Sequence, residues 1–223
     1  MLVPSWISFG KNRESLAFGG WLQSLPKCDT MAQRKGGVAD LAVFAVIDTE
    51  TNWADQVMSI GTVIADSRSF EPVGAKYHVL PLECQIGGMY EGTLFIDTPV
   101  RPILCTREEA LNDLIQWFEC YGIRDIFAYN ANFDRNHLSE LRSYSWYDIM
   151  RLAAYRQSNP CIPSCADCYA TGRLKRGYGV EAMLRLLSGS GSYRETHNAI
   201  HDALDELAII KLLGHPLSHY VPL

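Results

Sequence analysis

The sequence predicts an α/β domain in which helices cover a mixed β-sheet. A continuous apolar run at residues 41–47 has the length and β-branched content that are typical of a strand buried on both faces. Amphipathic segments with helical spacing follow it later in the chain. The order of three strands, a helix, a strand and then several helices favours one layered domain.

Three further segments have strand character. Residues 57–65 form the second predicted strand, in which Ser59 and Thr62 are polar interruptions that an antiparallel neighbour tolerates. Residues 77–82 form the third predicted strand, and residues 126–129 form a short buried fourth one.

Five segments are predicted to be helical. The first begins at Thr106, because Glu109 follows three residues later in a capping-box pattern. The last ends before Gly214 and Pro216, which are residues that stop helices. The five predicted helices span residues 106–121, 133–141, 149–156, 180–187 and 199–213.

The composition is that of an ordinary globular protein, since 48% of the 223 residues are hydrophobic and 20% are charged. No apolar run reaches the roughly 18 residues that a membrane span needs, and the N-terminal segment lacks the apolar stretch of a secretory signal. We therefore expect a cytoplasmic protein with no membrane partner. Residues 1–38 show no clear period and are expected to be a loosely ordered extension, and residues 39–223 are expected to form the domain.

The net charge of −5 limits how this chain can hold nucleic acid. Proteins bind long nucleic acids chiefly by neutralising phosphates with Lys and Arg. An acidic chain cannot rely on a broad basic surface, so any nucleic-acid substrate is expected to be short or to be held locally near a metal site.

Two carboxylates follow the first predicted strand. Asp48 and Glu50 are two residues apart, and this spacing places both side chains on the same face of a strand. Two like charges this close favour a bound cation, and Mg²⁺ or Mn²⁺ are natural partners of carboxylate oxygens. The alternative is a strand that simply ends in an acidic turn.

Two later segments carry further polar residues. Asn130 lies in the turn after the fourth predicted strand, and Asp134 falls in the first turn of the following helix, where capping is the alternative role. Asp202 lies on the last predicted helix, and His197 lies on the loop that enters it, unless it is only a solvent-exposed residue.

In combination and order, these segments resemble the DEDDh exonuclease superfamily, which includes RNase T-like enzymes, oligoribonuclease and proofreading exonuclease subunits. The family pattern is Asp-x-Glu at the end of a first strand, then Asn-x-x-x-Asp, then His-x-x-x-x-Asp on a terminal helix. The resemblance spans about residues 41–214. This sequence supplies the pattern with Asp48, Glu50, Thr51, Asn130, Asp134, His197 and Asp202.

The resemblance implies a ribonuclease H-like fold and a 3′–5′ exonuclease that acts on the 3′ ends of single-stranded DNA or RNA. It also implies two Mg²⁺ or Mn²⁺ ions, with His197 as the general base. His201 has the wrong spacing for that base and is assigned a structural role. The implied metal ligands are Asp48, Glu50, Asp134 and Asp202.

Residues around this pattern are candidates for substrate binding. Thr51 and Asn130 are expected near the terminal nucleotide, and Trp53 either stacks on a base or packs against the protein. The densest basic segment is expected either to hold the substrate backbone or to be a solvated loop face. Its charged residues are Arg173, Lys175 and Arg176.

Residues 159–179 are predicted to be an insertion with three clustered cysteines. Cys161, Cys165 and Cys168 have the local spacing of ligands to one structural Zn²⁺. No Cys or His follows at the usual distance to complete the set, so reduced thiols in an exposed loop are the alternative.

Two other functions compete with a polymer-degrading exonuclease. One is a phosphodiesterase for short oligonucleotides, which the acidic net charge favours. The other is a catalytically silent nucleic-acid-binding protein, although the presence of all four carboxylates and the histidine argues against it.

Overall fold

Six strands form one mixed sheet in the computed structural model, which describes residues 42–223. The expected N-terminal extension, residues 1–38, lies outside the described residues, as does the predicted start of the first strand at Leu41. The strands are β1 (Val43–Thr51), β2 (Val57–Asp66), β3 (Pro72–Val79), β4 (Ile103–Leu104), β5 (Asp125–Ala128) and β6 (Ser145–Asp148).

The strand order across the sheet is β4-β3-β2-β1-β5-β6. Strands β1, β2 and β3 form an antiparallel meander, whereas β4 pairs in parallel with β3, β5 with β1 and β6 with β5. The sheet is therefore mixed, as predicted, and β1 lies near its centre.

Helices cover both faces of the sheet. Three 3₁₀ turns, Glu91–Thr93, Ser139–Leu141 and Leu217–His219, connect some of these elements. The helices are α1 (Pro81–Cys84), α2 (Arg107–Tyr121), α3 (Asn132–His137), α4 (Met150–Ala153), α5 (Val180–Ser188) and α6 (Ala199–Leu213).

Strand β1 is buried on both faces, as its apolar run predicts. Phe44 and Val46 belong to a hydrophobic core that α5 and α6 close, whereas Ala45 and Ile47 belong to a second core under α2. Alternate residues of a strand point to opposite faces, so the even-numbered positions of β1 face α6. The same alternation decides to which face of the sheet the side chains after Ile47 point.

The ends of the two long helices agree with the sequence. The hydroxyl of Thr106 accepts from the backbone N–H of Glu109, and the Glu109 carboxylate accepts from the backbone N–H of Thr106 at 2.8 Å, so the capping box is present. Helix α6 has the predicted bounds and ends at Gly214, whose φ of 66° is left-handed.

The third strand and two of the helices differ from the prediction. Strand β3 ends at Val79 rather than at residue 82, because Pro81 has no amide hydrogen for the sheet ladder and starts α1 instead. Helix α3 stops at His137 and a 3₁₀ turn follows it, so the predicted helix at 133–141 is too long.

Helix α4 covers only Met150–Ala153 of the predicted helix at 149–156. The chain leaves the helix because Tyr155 and Arg173 form an isolated antiparallel bridge, and the amide of Arg156 donates to the carbonyl of Gly172 at 3.0 Å. Within residues 42–223, no helix combines the length and apolar character that crossing a bilayer requires.

Candidate active site

The acidic site begins where β1 emerges from the core. Asp48 and Glu50 continue the parity of Phe44 and Val46, so both side chains lie on the α6 face of the sheet. Thr49, between them, points to the opposite face. The end of β1 therefore presents polar side chains to both sides of the sheet.

Helix α6 reaches this strand end because β2 has a glycine beneath it. Gly61 pairs with Asp48 in the sheet register, and a Cβ atom on Gly61 would lie only 2.0 Å from the carbonyl oxygen of Ala199. Only glycine permits such a close approach of helix and strand. The first turn of α6 is thereby held against the strand pair that carries Asp48, and Asp202 follows within that turn.

Asp134 comes to the site from the other face. It lies in the first turn of α3, directly after β5, which is parallel to β1. The hydroxyl of Thr49 donates to Oδ1 of Asp134 at 2.7 Å. This hydrogen bond fixes the Asp134 carboxylate across the end of β1.

His197 lies over the third side of the site. Ligand atoms of Glu50, His197 and Asp202 all lie within 4.8 Å of one another. His197 precedes α6, whose N-cap residue Asn198 accepts from the amide of Ile200 at 3.3 Å. As predicted, His197 is therefore on the loop entering the helix, and its side chain is 40% exposed.

Crowding and burial raise the pKa values of the carboxyl groups. Burial is the largest cause for Asp48, whose pKa lies well above its usual range, and the neighbouring carboxylates add to the shift. Burial also raises the pKa of Glu50 to about 7 and that of Asp134 to about 7. The same cause raises the pKa of Asp202. Such a cluster favours a bound cation, which would neutralise the repelling charges.

Unpaired oxygen atoms support the same inference. Oδ2 of Asp48 and Oδ1 of Asp202 are buried and have no hydrogen-bond partner. Buried polar atoms without partners are rare in proteins unless an ion or water satisfies them. Carboxylate oxygens in this arrangement fit a hard divalent cation such as Mg²⁺ or Mn²⁺. The chemistry of these side chains therefore suits the ions that the resemblance implies.

A cleft of about 480 Å³ opens over the carboxylates. Thr51 and Asn130 line it, as does Trp53, whose side chain is 68% exposed. Neither Lys nor Arg is among its lining residues, which include Asp48, Glu50, Asp55, Asp134, Glu195, His197 and Asp202.

The basic segment does not line this cleft. The guanidinium of Arg173 lies 5.0 Å from the ring centroid of Tyr169, and Lys175 forms an ion pair with Asp167 at 2.9 Å. One hydrogen bond nevertheless joins the end of the segment to the cleft wall. The hydroxyl of Tyr129, which lines the cleft, donates to the carbonyl of Tyr178. Arg176 lies within this exposed segment.

The three clustered cysteines are free thiols. Within residues 42–223, their sulfur atoms do not form a group of the kind that could share a metal ion. Cys161 and Cys165 are exposed, and Cys168 accepts from Arg156 at 3.3 Å. The predicted insertion folds through its own hydrogen bonds and through buried Ile162 and Leu174, so the geometry gives the zinc hypothesis no support.

His201 has the structural surroundings expected of it, since its Nε2 contacts the carbonyl of Asp97 at 3.0 Å.

The structure adds residues that the sequence patterns do not single out. Glu206 is 1% exposed, its Oε2 has no partner, and burial and Asp134 raise its pKa. Its position one helical turn after Asp202 is a signal that could have indicated it. Glu195 lines the cleft, with Oε1 4.0 Å from Nδ1 of His197.

No protein-family model and no curated protein matches this sequence. Solved structures do match. A 3′-exonuclease described in its recognition of the histone mRNA stem-loop has a TM-score of 0.54 and 11% identity, covering 87% of this chain and 75% of that chain. A full-length 3′-exonuclease has a TM-score of 0.52 and 11% identity, covering 81% and 90%.

Exonuclease I of E. coli, solved with a dT13 oligonucleotide, has a TM-score of 0.50 and 15% identity. The match covers 79% of this chain but only 42% of Exonuclease I. The fold is thus that of the 3′-exonucleases. The mixed sheet between helices that these proteins share is the ribonuclease H-like fold that the resemblance implies, so this fold is confirmed.

Proposed function

We propose that the protein is a 3′–5′ exonuclease that hydrolyses single-stranded nucleic acid with the help of two divalent cations. One observation carries the proposal. Four carboxylates and a histidine from separate segments meet at a single cleft, where buried oxygens of Asp48 and Asp202 lack partners. The fold supports it, because the similar solved proteins named above are exonucleases.

Asp48, Glu50, Asp134 and Asp202 would hold the cations. When bound, two Mg²⁺ or Mn²⁺ ions in such a site lower the pKa of a water molecule and stabilise the charge on attacking and leaving oxygens. The protein contributes a rigid arrangement, in which Thr49 fixes Asp134 and the packing of α6 on β2 fixes Asp202.

His197 is the general base of this proposal. Its partly exposed ring stands beside Glu50 and Asp202 and can accept the proton of the attacking water. The water oxygen then bonds to phosphorus as the bond to the 3′ oxygen of the preceding nucleotide breaks. The leaving 3′ oxygen takes up a proton from solvent, and the protonated imidazole returns its proton to solvent, so the products are a nucleoside 5′-monophosphate and a shortened strand with a 3′ hydroxyl.

The cleft itself carries negative side chains and, among its described lining residues, no cationic one. A phosphate would therefore be repelled from the metal-free site and attracted once cations occupy it. Substrate binding should thus depend on the metal as much as hydrolysis does.

The test is degradation of 5′-labelled single-stranded DNA and RNA with Mg²⁺ or Mn²⁺. Asp48→Asn keeps the size of the side chain and removes its charge. The matched control is Asp66→Asn, because Asp66 is the last residue of β2 and does not line the cleft. A ladder that shortens from the 3′ end with wild type and the control, but not with Asp48→Asn, is expected. Equal cleavage by Asp48→Asn, or no cleavage by wild type, would reject the proposal.

The acidic cleft favours a second candidate, a phosphodiesterase for short oligonucleotides. Substrates of two, five and twenty nucleotides separate the two functions. Cleavage of dinucleotides alone identifies the second candidate, whereas ladders on the longest substrate identify the first.

A further inference from the structure

The ring of Tyr90 is stacked on the imidazole of His197. The ring centroids are 4.1 Å apart and the planes are inclined by only 16°. Tyr90 lies on the segment between α1 and β4, far in sequence from the loop that carries His197. Two aromatic rings at this distance and angle restrict each other's rotation.

The backbone of His197 adopts an uncommon conformation that needs support. Its φ is 54°, in the left-handed region that side chains other than glycine rarely occupy. Such a conformation persists only where surrounding contacts determine it. The hydroxyl of Thr93 is near the carbonyls of both Tyr90, at 2.7 Å, and His197.

Asn198 connects the same segment to the core. Its Nδ2 donates to the carbonyl of Thr93 at 2.8 Å and lies 3.2 Å from the hydroxyl of Tyr77 on β3. Asn198 is fully buried and also caps α6. The turn that carries Tyr90 is therefore fastened to the residue next to His197, so the ring and the backbone of His197 are held from the same segment.

We propose that Tyr90 is a positioning residue for His197, an inference that rests on the proposed function. The stack holds the imidazole over Glu50 and Asp202, where it can accept a proton, instead of letting it swing into solvent. Ring contact alone is required for this role, and the Tyr90 hydroxyl is dispensable. Tyr90 also lines the cleft, so substrate binding is the competing role that the experiment has to separate.

The first measurement is the NMR shift of the His197 ring protons in metal-free protein, assigned with His197→Gln. Stacking on an aromatic face moves these resonances upfield. The upfield shift should be lost in Tyr90→Leu, kept in Tyr90→Phe, and kept in Phe95→Leu, the matched control. Phe95 is an exposed aromatic residue of the same segment and does not line the cleft.

The second measurement is steady-state hydrolysis by the same variants. Tyr90→Leu should lose about 10- to 100-fold in kcat with KM unchanged, because a misplaced base weakens proton transfer but not substrate binding. Tyr90→Phe should restore most of that loss, and Phe95→Leu should behave as wild type.

The outcomes separate this inference from the proposed function. An unchanged His197 spectrum in Tyr90→Leu, an unchanged kcat, or a rise in KM alone would overturn the positioning role while leaving the exonuclease proposal intact. Absence of hydrolysis by wild-type protein would remove both, even if the stack were visible by NMR.

Discussion

A Cβ atom added to Gly61 would lie 2.0 Å from the carbonyl oxygen of Ala199. The two residues belong to β2 and to the first turn of α6, and their contact sets the distance between the strand that carries Asp48 and the helix that carries Asp202. The obstructing atoms are backbone, so no side-chain rotation can relieve the clash.

Gly61→Ala is therefore expected to push α6 away from the sheet. We expect the free energy of unfolding to fall by about 1–3 kcal/mol. We also expect the rate of hydrolysis to fall by more than the lost stability explains, because Asp202 moves relative to Asp48. Thermal denaturation and hydrolysis below the melting range measure the two effects. Gly191→Ala is the control, since a Cβ there meets nothing within 4 Å. Wild-type activity in Gly61→Ala would show that the close approach does not position the site.

Thr49→Val tests the hydrogen bond to Asp134. Valine keeps the shape of threonine but cannot donate to Oδ1 of Asp134, a bond of 2.7 Å that lowers the pKa of that carboxyl. Affinity for Mn²⁺ should fall about 10-fold or more, the usual effect of losing a hydrogen bond to a metal ligand. Titration calorimetry measures this affinity. Thr49→Ser retains the donor and should bind as wild type does; equal loss in both variants would contradict the explanation.

The raised carboxyl pKa values predict how stability depends on pH. Glu50 and Asp134, with pKa values of about 7 in the folded protein, ionise near their ordinary values of 4.5 and 3.8 when unfolded. Between these limits the folded state binds more protons than the unfolded state, so the metal-free protein should lose stability as pH rises. For one such group the slope is about 1.4 kcal/mol per pH unit.

Melting temperatures across this window, in chelator and in Mn²⁺, measure the effect. Mn²⁺ should cancel or reverse the decline, because it binds the ionised carboxylates. Glu206→Gln, which removes one buried acidic group, should flatten the decline in chelator. A metal-free protein that gains stability over this range would disprove the assignment of raised pKa values.

Arg176→Ala tests whether the basic segment contacts substrate phosphates. If it does, binding of long single strands should weaken and the slope of log affinity against log salt should shrink by about 1. Binding is measured with a catalytically inactive variant by fluorescence anisotropy. Arg68→Ala, in the exposed turn after β2, is the matched control. Equal salt slopes for wild type and Arg176→Ala would leave the segment as a solvated loop.

The sequence is informative where chemistry and local periodicity coincide. Asp48 and Glu50 lie in the last part of β1, directly after its apolar run, and α6 ends before Gly214 as its stop residues predict. The joint position of these residues at one cleft followed from a family pattern and could not have been derived from periodicity alone.

Other features depend on contacts between distant segments. Strand β6 has only four residues and forms because it pairs with β5, and β4 has only two, so neither has a recognisable period. The stack of Tyr90 on His197 likewise joins two irregular segments. The zinc site that the spacing of the three cysteines predicts stays a prediction, and within residues 42–223 their sulfur atoms do not lie together as a group of metal ligands.

The chain order of the site has a consequence for protein synthesis. Asp48, Glu50 and Asp134 emerge from the ribosome long before His197 and Asp202, and the latter pair takes its place only when α6 docks on Gly61. A polypeptide whose translation halts before residue 197 lacks two of the five side chains on which the proposed hydrolysis depends, so we expect it to be inactive until synthesis is nearly complete.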